Sequence, residues 1–254
     1  MKDKNAFFSS KNTIDRITDA DVENTPDYLE AIKTFTEITN KSVYVVDYQK
    51  QGFEYVSDNP LFLCGYTAEE VKEMGYDYYF KQIPQKDLEL LLKINVVGFD
   101  FYETIAADER KDHYISYDFH IQMQDGKTIL VHQKLTPLFF TESGKVWKAI
   151  CIVSLSTAQN SGNITIHKKN SNETFVYDLE GEYWKTILRQ ELSDREKEIL
   201  QYSIRGYSIS EMADKLFISP DTVKFHRKKM FEKLEVSNIT EAISQAAAAN
   251  LIQF

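Results

Sequence analysis

Residues 219–233 hold the side chains with the clearest chemistry. They read Ser219-Pro220-Asp221-Thr222-Val223-Lys224-Phe225-His226-Arg227-Lys228-Lys229 and run on to Lys233. Ser followed by Pro starts a helix: Ser caps it and Pro suits the first turn. At helical spacing Val223, Met230 and Leu234 share one face, while Lys224, Phe225, Arg227, Lys228, Lys229 and Lys233 share the other arc. Residues 221–233 carry five basic side chains and two acidic ones, Asp221 and Glu232. Asp221 falls in the first turn, where a carboxylate suits the helix dipole. A basic run alone is usually a solvated face. This one follows a short helical stretch and a tight turn, with Ser and Thr at its entrance, and that context points to phosphate and base contact.

Other chemistry finds no matching set of residues. His113, His120, His132, His167 and His226 are scattered. His120 and His132 fall out of phase with the apolar face of their strands, as surface or cross-strand histidines do. Cys64 and Cys151 have no short spacing and read as reduced, packed thiols rather than a disulfide or metal site. There is no His-Glu-x-x-His, no Gly-rich phosphate loop and no nucleophile–base pair. The expectation is no enzyme, no metal and no cofactor.

The elements that must position the basic helix follow from their own starts. Ser193 with Glu196 is a capping box for Asp194–Arg205, ended by Gly206. Ser208 with Glu211 is a second box, for a helix through Leu216. Asn238 with Glu241 starts a fourth helix, rich in alanine from Ala246 to Ala249. Ile199, Leu200, Ile204, Met212, Ala213, Leu216 and Ile243 join the inward face to make a small core. The chain's 254 residues have room for two domains. Residues 189–254 balance ten Lys+Arg against ten Asp+Glu, so the whole net charge of −9 lies in residues 1–188. An acidic body with a neutral end fits a protein that meets DNA at one end only. The N-terminus lacks a signal-like apolar core, and no apolar run approaches a membrane span, so a cytoplasmic protein without a membrane partner is expected.

With these residues in view, positions 189–252 resemble the LuxR-type helix-turn-helix domain. The matching signature is Leu192-Ser193-x-Arg195-Glu196-x-Glu198-Ile199-Leu200, Gly206, Ser208, Glu211-Met212-Ala213-x-x-Leu216, Ile218-Ser219, Thr222-Val223-Lys224-x-His226, Lys233-Leu234, Val236 and Thr240-Glu241-Ala242. The resemblance implies double-stranded DNA as a partner. It places Lys224, Phe225 and Lys228 where the family reads base edges, and Ser208, Thr222, His226 and Arg227 where it touches backbone. Lys229 is assigned with Arg227 to contacts that ignore sequence. Two departures stand out: Phe225 is an apolar wedge where smaller or polar residues are common, and Glu235 replaces the usual Gly after the helix.

The body of the chain reads as strand, strand, helical middle, then three strands. Ser42–Asp47 and Phe53–Ser57 are β-rich. Thr67-Ala68-Glu69-Glu70 opens a helix, and Asp87 opens a longer one. The last three strands are Tyr114 to Gln122, Thr128 to Phe140 and Val146 to Leu155. This is an antiparallel sheet with helices on one face. Over residues 41–157 it resembles a PAS sensor domain, through Asn59, Gly65-Tyr66-Thr67 with Glu69-Glu70, and Ile83-Pro84-Gln85-Lys86-Asp87-Leu88. Ile83 departs from the family's usual His, and Asn59 to Cys64 does not match the flavin-binding motif of some members. The resemblance implies a ligand space on the concave face of the sheet. Ile115, Tyr117, Phe119 and Ile121 would face it, with Ile129, Val131 and Leu135 beside them, and the ligand is a small molecule of unknown identity.

Four segments are therefore expected: a helical N-terminal segment (1–40), a PAS-like α+β domain (41–157), a hairpin and helical connector (158–188), and an all-α four-helix helix-turn-helix domain (189–254). Thr25-Pro26 starts the N-terminal helix, whose stripe Tyr28, Leu29, Ile32, Phe35 and Ile38 packs on its own domain or on a second copy. Ala246 to Ala249 give the last helix a small-residue face for a homodimer. The reading is a one-component transcriptional regulator. Its alternative is a protein-interaction switch run by the PAS-like domain, with DNA binding secondary.

Overall fold

The computed structural model describes residues 3–23, 27–39, 41–169, 171–188, 191–234 and 236–248. The Thr25-Pro26 cap, Glu235 and Ala249 lie outside these. The chain forms two compact units, Met1–Ile187 and Leu188–Phe254.

The first unit begins with a short 3₁₀ turn, Lys4–Phe7, then helices α1 (Asp19–Glu23) and α2 (Leu29–Thr39). Strands β1 (Ser42–Asp47) and β2 (Gly52–Val56) follow, and then helices α3 (Pro60–Leu63), α4 (Ala68–Met74), α5 (Asp77–Gln82) and α6 (Gln85–Thr104). Strands β3 (His113–Gln122), β4 (Thr128–Phe140) and β5 (Val146–Leu155) complete the PAS-like sheet. Local chemistry sets these boundaries. Asn59 caps α3 through its side chain, and Thr67 with Glu70 forms a reciprocal capping box on α4. The sheet is antiparallel, in the order β2-β1-β5-β4-β3.

The connector does not stand apart from this sheet. Strands β6 (Gly162–Lys168), β7 (Glu173–Asp178) and β8 (Tyr183–Leu188) extend it past β3 to eight strands. Two buried aspartates fasten the entrance of β6. Asp87 accepts from Ser161 Oγ at 3.0 Å and pairs with His120 Nδ1 at 2.7 Å. Asp118 accepts from Asn163 Nδ2 at 2.9 Å and pairs with His132, its cross-strand neighbour, at 3.0 Å. Burial works against the charge of Asp118, but these partners outweigh it and hold its pKa below the ordinary carboxylate range. His132 is thus a cross-strand carboxylate partner, and His120 joins β3 to Asp87 of α6.

Residues 183–188 correct the expected helix of the connector. Trp184, Ile187 and Leu188 do fit helical spacing, yet β8 is a strand. A run of aromatic and β-branched residues meets an open sheet edge at β7, and pairing there outweighs the periodicity. Trp184 packs on Tyr177 and on Phe101 of α6, each at 5.0 Å, while Ile187 and Leu188 stay exposed.

Helix α2 rests on its own unit by polar contacts. Tyr28 hydrogen-bonds Glu54 and packs against Phe139, and Thr36 bonds the Tyr55 hydroxyl at 2.8 Å. Phe35 and Ile38 remain exposed.

Past β8, the elements among the described residues of the second unit are helices: α7 (Asp194–Ile204), α8 (Ile209–Leu216), α9 (Pro220–Leu234) and α10 (Ile239–Ala248). Two apolar clusters hold it together. Ile199, Met212, Ala213 and Val223 form one; Leu192, Leu200, Met230, Leu234, Ala242 and Ala246 form the other. Ala246 is therefore a core residue, not a dimer surface. A run of alanines shows no polarity with which to tell an inner face from an outer one.

Candidate nucleic-acid interface and sensor cavity

Each helix around the basic arc is fixed by its own ends. On α7 Ser193 and Glu196 cap each other, and on α8 Ser208 and Glu211 do the same. Glu196 is nearly fully buried and also reaches across to α9, where Lys233 Nζ donates to it at 2.8 Å and to the Glu191 carbonyl at 2.9 Å. Burial opposes the charge on Glu196, but the Lys233 ammonium and the Ser193 backbone and hydroxyl groups hold its pKa below the usual range. The N-terminus of α9 is closed by Ser219, whose Oγ accepts from the Thr222 N–H at 3.1 Å. Val223 and Met230 are completely buried and Leu234 nearly so.

That orientation leaves the opposite arc in solvent. Lys224, Phe225, Lys228 and Lys229 are exposed, and Thr222, His226 and Arg227 are half-buried. Neighbours pre-arrange them. Lys224 pairs with Asp221 at 3.0 Å, Lys229 lies 4.8 Å over the Phe225 ring, and Arg227 lies 5.7 Å over Phe231. Ser208 is exposed, with its hydroxyl given to Glu211 at 2.7 Å. His226 Nδ1 is buried without a hydrogen-bond partner. Lys233 leaves the arc for the Glu196 pair. The structure so brings together on one helix the cationic and hydroxyl groups suited to a phosphate backbone and groove.

The first unit contains a cavity of about 70 Å³ between the sheet and α6. Ile115, Tyr117 and Leu135 line it. Phe119 and Ile121, expected to face it, and Val131, expected beside it, are instead packed into the core without exposure, and Ile129 is partly buried against that core. The pattern of β3 placed all four of its alternating residues on the inner face, but the space opens only at one end of the strand. β1 (Tyr44, Val46), Tyr48 and the inner side of α6 (Leu91, Ile94, Asn95, Gly98, Phe99, Tyr102) add to the lining, and Phe7, Tyr76, Tyr79, Gln133, Pro137, Val146 and Cys151 complete it. Gly98 lets α6 approach the sheet closely: a Cβ there would lie 3.1 Å from Ile115 Cδ1. β1 is buried on both faces, so its run of apolar residues did not single out Tyr44 and Val46 as lining.

A chain of hydrogen bonds crosses the cavity wall. Tyr44 Oη donates to Gln133 Oε1 at 2.8 Å and lies 2.6 Å from Tyr79 Oη; Gln133 Nε2 donates to Tyr117 Oη at 2.6 Å. Tyr44 spends its proton on Gln133, so Tyr79 donates to Tyr44. Burial pushes all three phenols, and Cys151 beside them, upward, Cys151 to about 12, so these groups stay neutral. Among the described residues no cluster of His, Cys, Asp and Glu is arranged to hold a metal ion, and no helix is long and apolar enough to cross a membrane.

Comparison with known proteins agrees with the geometry of the second unit. Residues 190–246 match the family of bacterial regulatory proteins, luxR family. The HTH-type quorum-sensing regulator RhlR of Pseudomonas aeruginosa is 48% identical over 61 residues, covering 24% of this chain and 25% of RhlR. The regulatory protein SdiA of Escherichia coli is 45% identical over 60 residues, again 24% and 25% of the two chains. This chain thus spans about a quarter of the length of the curated relatives it matches. Among solved structures, a Vibrio cholerae VqmA dimer is 18% identical over 88% of each chain, with a TM-score of 0.35. Residues 190–246 of the C-terminal unit thus carry the match to the luxR family, and they are joined to an α+β unit whose antiparallel sheet includes the order β2-β1-β5-β4-β3.

Proposed function

We propose that the protein is a cytoplasmic, one-component transcriptional regulator: residues 41–157 sense, 158–188 connect and 189–254 bind double-stranded DNA as a homodimer. The observation that carries this is α9. It is a helix with one face locked into a core and the other presenting Lys224, Phe225, Lys228 and Lys229, directly after a capped helix and a tight turn. That is the arrangement in which a second helix lies in the major groove. Lys224, Phe225 and Lys228 read bases. Ser208, Thr222, His226, Arg227 and Lys229 hold the backbone. A single module of this size buries little DNA, so two copies on two half-sites are needed for tight binding. With Ala246 in the core, the exposed Phe35 and Ile38 of α2 offer an apolar surface for pairing.

The two classes of contact separate experimentally. Lys224→Ala or Lys228→Ala costs about 1–3 kcal/mol on a duplex selected for tight binding, and less on random duplex. Arg227→Ala or Lys229→Ala weakens both alike and lowers the salt slope by about one. Titrations on both duplexes at several salt concentrations measure this. Equal losses on both for Lys224→Ala would remove it from the base readers.

The cavity takes a small apolar or aromatic molecule. Its walls are aromatic and aliphatic, and the Tyr117 hydroxyl, having accepted from Gln133, keeps a proton to offer an acceptor on the ligand. Such a ligand shifts DNA affinity only by preferring one of two states of the chain. Phenol serves as a probe: it raises the melting temperature of the intact protein, and Ile94→Phe, which fills the space, removes the effect. An equal rise in both proteins would place the phenol elsewhere.

A further inference from the structure

Two helices of the C-terminal unit end in the same way, with different residues. α7 closes at Gly206, whose φ is +81°, and the Tyr207 N–H returns to the Tyr202 carbonyl at 3.1 Å. α8 closes at Phe217, whose φ is +54°, and the Ile218 N–H returns to the Ala213 carbonyl at 3.0 Å. The left-handed residue in such an end is usually glycine, because a Cβ crowds the following carbonyl. Phe217 accepts that strain, and its side chain gains nothing from the fold in return. It belongs to neither apolar cluster of the unit and is 95% exposed, the most exposed of the large apolar side chains among the described residues. The backbone therefore opposes phenylalanine here, and the bare ring contributes nothing to offset it.

The position of Phe217 suggests what it serves. It lies in the turn between α8 and α9, two residues before Ser219, the cap of α9. In a helix-turn-helix the first helix crosses the DNA backbone and the second enters the groove by its N-terminal end. The turn between them therefore runs along the sugar–phosphate wall. The side chains at the entrance of α9, Ser219 and Thr222, are polar and small, and Ile218 packs against the Ile199 cluster, so the Phe217 ring is the bulky apolar group that this turn presents to solvent. We propose that Phe217 is a positioning residue for DNA: its ring packs on the deoxyribose face of the backbone beside the first turn of α9 and sets the angle at which α9 enters the groove. The assignment rests on the DNA-binding reading above.

The test sets stability against affinity in the intact chain. Phe217→Asn and Phe217→Gly both suit a positive φ. Each raises the melting temperature, and each weakens binding to a duplex selected with the wild-type protein about five- to tenfold. The salt slope stays unchanged, because no cation is lost. Phe217→Tyr keeps the ring and keeps wild-type affinity. Unchanged affinity in the Asn and Gly proteins overturns the assignment. So does weakened affinity accompanied by a lowered melting temperature, which would make the ring a part of the fold. A wild-type protein that binds no duplex fails earlier, at the DNA-binding reading itself.

Discussion

Replacing Ala246 with arginine unfolds the C-terminal unit. The Ala246 side chain has no exposure and packs with Leu192, Leu200, Met230, Leu234 and Ala242. Arginine there must either bury a cation with no carboxylate in this apolar cluster or push α10 off the bundle. Overpacking alone costs about 1–3 kcal/mol, and an unpaired buried charge adds several more. The sum approaches the whole stability of a small unit, on the order of 5 kcal/mol. Thermal melts followed by circular dichroism show the effect as a lost helical transition. A folded Ala246→Arg protein with normal stability would mean that this face of α10 is on the outside.

The second large effect lies at the junction of α7 and α9. Lys233→Met leaves Glu196 buried and unpaired, which destabilises the unit by about 3 kcal/mol. Changing both partners together, Glu196→Leu with Lys233→Met, recovers much of that loss, because neither residue is then a stranded charge. The double protein still lacks the Glu196 half of the capping box on Ser193, so recovery is incomplete. The same pair gives a pH dependence. The folded-state pKa of Glu196 is lowered, so its contribution is fully present above the ordinary carboxylate range and is lost as pH falls through the lowered value. Denaturant melts at neutral and acidic pH separate these variants. If Lys233→Met melts like the wild type at neutral pH, the pair contributes nothing.

How far the sequence speaks for itself differs between the two units. In the C-terminal one, Ser193/Glu196 and Ser208/Glu211 are local signals acting over three residues, and both boxes form as read. Val223, Met230 and Leu234 announce an inner face because most of the residues between them are charged or polar. Ala246 gives no such contrast, and its burial depends on partners from α7 and α9. In the N-terminal unit, the strands β3 to β5 follow from alternation and turn residues. The cavity does not, because it depends on where α6 lies over the sheet and on the missing side chain at Gly98. The pairs Asp87–His120 and Asp118–His132 were equally hidden: the first partners are 33 residues apart and meet only where α6 lies over β3, and the second are set by strand register. β8 shows the converse. Its helical spacing is real but local, and a free sheet edge supplies a stronger partner.

The central claim is that the exposed arc of α9 reads DNA sequence, and selection from a random-sequence duplex library with the intact chain tests it most directly. The account predicts that one motif is enriched, that it is an inverted repeat with half-site centres about one helical turn apart, and that it binds at least about a thousandfold tighter than random duplex at physiological salt. Retention of all sequences with equal affinity, or no retention at all, would contradict it.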